Sequence, residues 1–166
     1  MNSRRVWIMV SLALGIAITV PALANDLDDI KAAQERYVVA FRAKDLDGVM
    51  RFYVPDKTLL VFDVVPPRQF IGADAYRKDW KEFFDSVEGP ITVEMADFKA
   101  DASGQLAYTH SIQHVSAVDK KGQKIDFTAR VTDVFRKNKG RWLVIHEHFS
   151  VPVDLDTGKA DLNSTP

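Results

Sequence analysis

The residues with the clearest chemical potential are the four histidines, in a sequence that has no cysteine. His110 and His114 lie in one strand-like run, His146-Glu147-His148 in another, and Arg130 and Thr132 in a run between them. Two glycine loops, Lys120-Lys121-Gly122 and Asn138-Lys139-Gly140, join these runs. Read as three-residue hairpin loops, they place Asp119 opposite Gln123 and Lys137 opposite Arg141. Counting inward gives three cross-strand rows: His110–Thr132–His146, Ile112–Arg130–His148 and His114–Thr128–Ser150. Side chains alternate between faces of a strand, so every residue in these rows shares one face. That face holds histidine, arginine and threonine without lysine, glutamate or glutamine, which reads as a pocket lining rather than a wet surface. The opposite face carries Phe127, Val131, Phe135, Leu143, Ile145, Phe149 and Val151, with Asp133 and Glu147 among them.

Imidazoles titrate near neutral pH, so His148 or His146 could move protons while Arg130 holds a ligand oxygen. His110, Thr132 and His114 would complete the lining. Asp63, between an apolar strand and Pro66-Pro67, could orient an imidazole or act as a base, since a desolvated carboxylate rises toward the working pH. It could equally close its strand by bonding local amides. Tyr37 lies on the apolar stripe of a helix and could donate to developing negative charge or simply pack. Trp80 and Phe70 read as pocket wall or core. His146 and His148 would stand roughly 7 Å apart on one face, a spacing metal sites use, with His110 as a third ligand. The favoured reading assigns no metal. Ser150 lacks the sharp turn that exposes a nucleophilic serine.

These groups need elements to hold them. Leu27, Ile30, Tyr37, Val38 and Phe41 recur at helical spacing. Asp45 is a natural cap for a short second helix, Thr58 to Asp63 is strand-like, and Gly72 to Val87 predicts a third helix. Four antiparallel strands follow, Ile91–Ala100, Gln105–Asp119, Gln123–Lys137 and Arg141–Val153. Helices first and a meander afterwards predict an α+β domain with helices covering one face of a curved sheet.

The chain of 166 residues suffices for one domain with a real core. Arg4 and Arg5, the apolar run Val6 to Val20 and Pro21-Ala22-Leu23-Ala24 have the form of a secretory signal peptide cleaved after Ala24. The division expected is therefore a leader over 1–24, a domain over 25–153 and a flexible tail over 154–166. The product would be periplasmic or secreted and free of the membrane once cleaved. Without its leader the chain is mildly acidic, and no basic face suggests nucleic acid.

Arg36-Tyr37-Val38-Val39-Ala40-Phe41 followed by Asp45-Leu46-Asp47-Gly48 resembles the opening of the nuclear transport factor two-like superfamily. Phe62 to Gly72, Trp80, Arg130-Val131-Thr132 and Trp142 to Pro152 are similar to bacterial SnoaL-like proteins of that group. The resemblance implies a cone-shaped antiparallel sheet wrapped around the N-terminal helices, a pocket at the wide end, and commonly a homodimer. Set against ketosteroid isomerases, Tyr37 takes the place of the oxyanion-hole tyrosine. Val61 takes that of the general base and cannot accept a proton, and Asp63 could replace it. The acidic oxyanion partner falls near Asp133. The function expected is binding of a small polar or anionic molecule in a His/Arg-lined pocket. Proton-transfer chemistry of isomerase, dehydratase or cyclase type, with no cofactor, would accompany it. The alternative is a non-catalytic binding or dimerisation module. Dimerisation is expected through the apolar sheet face.

Overall fold

The computed structural model describes residues 21–164. The expected leader falls largely outside this range. The elements are α1 (Pro21–Arg42), α2 (Leu46–Met50), β1 (Leu60–Phe62), β2 (Phe70–Ile71), α3 (Ala73–Ser86), β3 (Val87–Ser103), β4 (Leu106–Asp119), β5 (Lys124–Asn138) and β6 (Arg141–Ser150). The strands form one sheet in the order β2-β1-β6-β5-β4-β3. The predicted α+β class and meander are present. Among the described residues no helix is long and apolar enough to cross a membrane.

Helix α1 buries Ile30, Ala33, Gln34, Tyr37, Ala40 and Phe41, the spacing that puts side chains on one helical face. Lys44 adopts a positive φ of 55° just past its end, turning the chain into α2. Asp45 caps that helix by accepting the Gly48 amide at 2.9 Å. Helix α3 presents Tyr76, Trp80 and Phe84 at intervals of four, and all three are buried. The register of β3 on β4 shifts twice, between Glu88 and Thr92 and between Ala96 and Lys99. Such irregularities bend a strand, and here they curl the sheet over the helices.

The β4–β5 register matches the expectation: His110 pairs with Thr132, Ile112 with Arg130 and His114 with Thr128. The β5–β6 register does not. Lys139 and Gly140 have φ of 48° and 78°, the two positive angles of a two-residue turn, so Asn138 faces Arg141. A bulge then inserts Ile145, because Phe135 pairs with Val144 while Val134 pairs with His146. Each displacement shifts the pairing by one residue. Arg130 therefore faces Ser150, and Thr132 faces His148. Two single shifts preserve which residues share a face, so the histidines still lie together.

They lie together on the wrong side for a pocket. The face with Val115, Val131, Phe135 and Phe149 looks toward the helices, and Val115, Val131 and Phe135 are each no more than 2% exposed. Burying a side chain of that size stabilises by about 1.5–3 kcal/mol, and the helical stripes have no other sheet face to cover them. The apolar face is thus the core, which corrects its assignment as a surface for dimerisation. In the segment after β6, Leu162 O accepts the Thr128 amide at 2.7 Å, and Asp161 donates its amide to Pro152 O at 2.8 Å.

Candidate functional site

The site is built on the inner face of β6. Glu147 is only 3% exposed, and β1 runs parallel beside it, with Val61 opposite Glu147. The next inward position on that strand line is Asp63. Tyr53 follows α2 and is tied to β6 through Val54 N donating to Val144 O and Val144 N to Phe52 O, both at 2.9 Å. Tyr76 comes from the first turns of α3. These four segments converge on one carboxyl group.

Tyr53 donates its hydroxyl to Glu147 Oε2 at 2.9 Å, and Tyr76 donates to Oε1 at 2.7 Å. The Tyr76 hydroxyl also lies 3.2 Å from Asp63 Oδ2. A phenol has one proton, so Tyr76 serves one of these carboxylates at a time. Asp133 is the cross-strand partner of Glu147 and is equally buried. Thr109 donates to its Oδ2 at 3.1 Å, while its Oδ1 has no protein partner.

The electrostatics follow from burial without a counter-charge. Burial pushes Glu147 well above the usual carboxylate range, and the adjacent Asp133 charge pushes it further. Burial likewise raises Asp133. Each of the two neighbouring buried carboxyls makes ionisation of the other less favourable. Burial raises Asp63 too, opposed by the amides of Val64 and Val65 and the Tyr76 hydroxyl. Burial drives Tyr37, Tyr53 and Tyr76 well above the ordinary phenol value, with the Glu147 charge adding to it. All three phenols therefore remain neutral hydrogen-bond donors.

Above this group lies a cavity of about 440 Å³, lined by Tyr37, Phe41, Asp63, Tyr76, Asp79, Trp80, Phe83, Gln113, Phe127, Glu147 and Phe149 among others. Its size falls in the range of small-molecule sites. The walls are aromatic and the floor is acidic.

Of the residues singled out from sequence, Tyr37, Asp63 and Trp80 line this cavity. Phe70 is buried beside it, with its ring 5.5 Å from that of Tyr76. The expected His/Arg lining is corrected. His110, Arg130, Thr132 and His148 are exposed on the outer face, and His114 and His146 are half-buried there. Their neighbours account for them. His146 Nδ1 bonds Leu60 O at 2.9 Å, His114 Nε2 meets Asp126 at 2.8 Å, and Phe62 packs against both His146 and His148. The alternative metal site is not assembled either: among the described residues no three metal-ligating side chains converge.

Sequence reasoning did not assign Glu147, Tyr53, Tyr76 or Asp79 to the site, and reached Asp133 only through the family resemblance. The available signal was two acids on a face otherwise apolar, because a buried polar group is more informative than an exposed one. Val61, at the place of the isomerase base, is fully buried. Asp133, at the place of the acidic oxyanion partner, points inward behind Glu147.

The SnoaL-like domain family matches residues 30–154. An NTF2-like protein of unknown function from Pseudomonas putida KT2440 is 31% identical. That match covers 86% of this chain and 98% of the other, with a TM-score of 0.78. A nuclear transport factor 2 (NTF2-like) superfamily protein from Salmonella enterica serovar Typhimurium superimposes with TM-score 0.72 at 18% identity, over 83% of this chain and 99% of its own. A ketosteroid isomerase-like protein from Erwinia carotovora atroseptica does so with TM-score 0.64 at 21% identity, over 75% and 95%. No curated protein matches the sequence. Fold, family match and the closely covered Pseudomonas relative agree, and the chain belongs to the SnoaL-like domain family of the NTF2-like superfamily.

Proposed function

We propose that the cavity binds a small, largely apolar organic molecule and moves a proton on it through the protein's own side chains. One observation carries this reading: Glu147, at the cavity floor, is held by two tyrosine hydroxyls and has the buried Asp133 as its cross-strand neighbour. Burial favours the neutral form of Glu147, which can offer its proton to an oxygen on the ligand, and Tyr37 offers a further neutral donor. Asp63, less buried than Glu147, is the group placed to take a proton from the carbon beside a polarised carbonyl. Returning that proton to another carbon gives an isomerisation, and expelling a β-hydroxyl instead gives a dehydration. The name of the Erwinia relative, ketosteroid isomerase-like, is compatible with this class of chemistry.

The test is proton exchange. Ketones of graded size are incubated with the protein in deuterium oxide, and deuterium uptake beside the carbonyl is followed by NMR. Uptake above the buffer rate, reduced at least tenfold in Asp63→Asn and in Glu147→Gln, is the expected result. A ketone that binds in the cavity and exchanges no faster than in buffer refutes the proposal. We propose further that the segment over 1–24 directs export; a mature N-terminus at Asn25 supports this, and an intact Met1 in the exported fraction refutes it.

A further inference from the structure

Every charged side chain that lines the cavity is acidic. Asp63, Asp79, Glu82 and Glu147 reach it, and among the described residues no lysine, arginine or histidine does. Their exposures form a gradient. Glu147 is fully buried at the floor, Asp63 and Asp79 are half-buried, and Glu82 is exposed at the rim with Lys78 3.7 Å from it on the solvent side. Asp63 and Asp79 thus stand at the mouth, one from the end of β1 and one from α3, without a cation between them. Burial pushes Asp79 up to about 6, and the charges of Asp63 and Glu82 push in the same direction. No basic group offsets either aspartate. The mouth is short of one positive charge.

The walls fit the same missing partner. Phe41, Trp80, Phe83, Phe127 and Phe149 present aromatic surface to the space beside these carboxylates. Aromatic faces attract a cation as well as an apolar body. The indole N–H of Trp80, a residue 9% exposed on this wall, has no acceptor in the protein.

We infer that the cavity takes an organic amine: an aromatic or branched apolar body with a protonated amino group seated between Asp63 and Asp79. This rests on the reading of the cavity as a ligand site and narrows it to one charge class. An ammonium there exchanges water for two carboxylates and aromatic faces, which satisfies three donors at once. An anion would add repulsion to two partly desolvated carboxylates.

Three matched probes decide the matter by isothermal titration calorimetry at pH 7.5: 2-phenoxyethylamine, 2-phenoxyethanol and phenoxyacetate, which share ring and ether oxygen and differ in charge. The amine should bind at least tenfold more tightly than the alcohol, and the acid most weakly of the three. Asp79→Asn should weaken amine binding at least tenfold while changing alcohol binding less than twofold. Asp63→Asn serves as the second variant, with circular dichroism confirming the fold of each. If the alcohol binds as tightly as the amine, the charge assignment fails and the cavity reading stands. If neither variant weakens the amine, the placement at Asp63 and Asp79 is wrong. If none of the three probes binds, the cavity reading fails and takes the inference with it.

Discussion

The two faces of the sheet both carry polar groups and treat them in opposite ways. On the outer face, His146, His148, His114 and Arg130 keep water, a backbone carbonyl, Asp126 or the Phe62 ring as neighbours. On the inner face, Glu147 and Asp133 are cut off from water and set against each other, with only neutral hydroxyls as donors. Reactivity belongs to groups whose charged form is disfavoured. Residue types that do chemistry elsewhere count for less than the environment a residue is given.

This contrast can be broken at several points, and the largest effect belongs to the packing beneath it. Phe135 is fully buried on the inner face, against Phe52 with ring centroids 5.4 Å apart. Phe135→Ala should cost about 3–5 kcal/mol in urea denaturation. A loss below about 1 kcal/mol would mean the inner face is not the core.

The acid pair should appear next, in the pH dependence of stability. Glu147 and Asp133 hold their protons more tightly folded than unfolded, so folding takes up protons. Stability should therefore fall as pH rises from the unfolded carboxylate value near 4 through the higher folded one. Between pH 5.5 and 8 the melting temperature should drop by about 3–6 °C, and Glu147→Gln should flatten the slope. A melting temperature that rises over this interval would contradict the buried acid pair.

The smallest effect is expected on the outer face. His148→Ala should change stability by less than about 0.5 kcal/mol and leave ligand binding untouched. A tenfold loss of binding of any cavity ligand in His148→Ala would restore the histidine face as the functional one.

Much of the fold was legible in the sequence. Helical spacing located α1 and α3, Asp45 announced α2, and Lys120-Lys121-Gly122 fixed the β4–β5 register residue by residue. The β5–β6 register was not legible. A two-residue and a three-residue glycine loop look alike in Asn138-Lys139-Gly140, and nothing in Val144-Ile145-His146 marks a bulge. The site was half legible. Tyr37, Asp63 and Trp80 were found because each sits at an end or stripe that points inward. Tyr53 and Tyr76 were not, since their meeting at Glu147 spans 94 and 71 residues of chain. The choice of face failed for a physical reason. Amphipathic alternation tells that a strand has two sides, but a small cavity requires polar groups on the apolar one.

The central claim is that burial keeps Glu147 in its protonated form to a higher pH than an exposed glutamate. Carbon-13 NMR of the glutamate side-chain carboxyls measures it directly, with the Glu147 signal assigned by its loss in Glu147→Gln. The account predicts a Glu147 carboxyl shift typical of the protonated acid at pH 7, ionising only at higher pH. A Glu147 signal already ionised at pH 7 would contradict it.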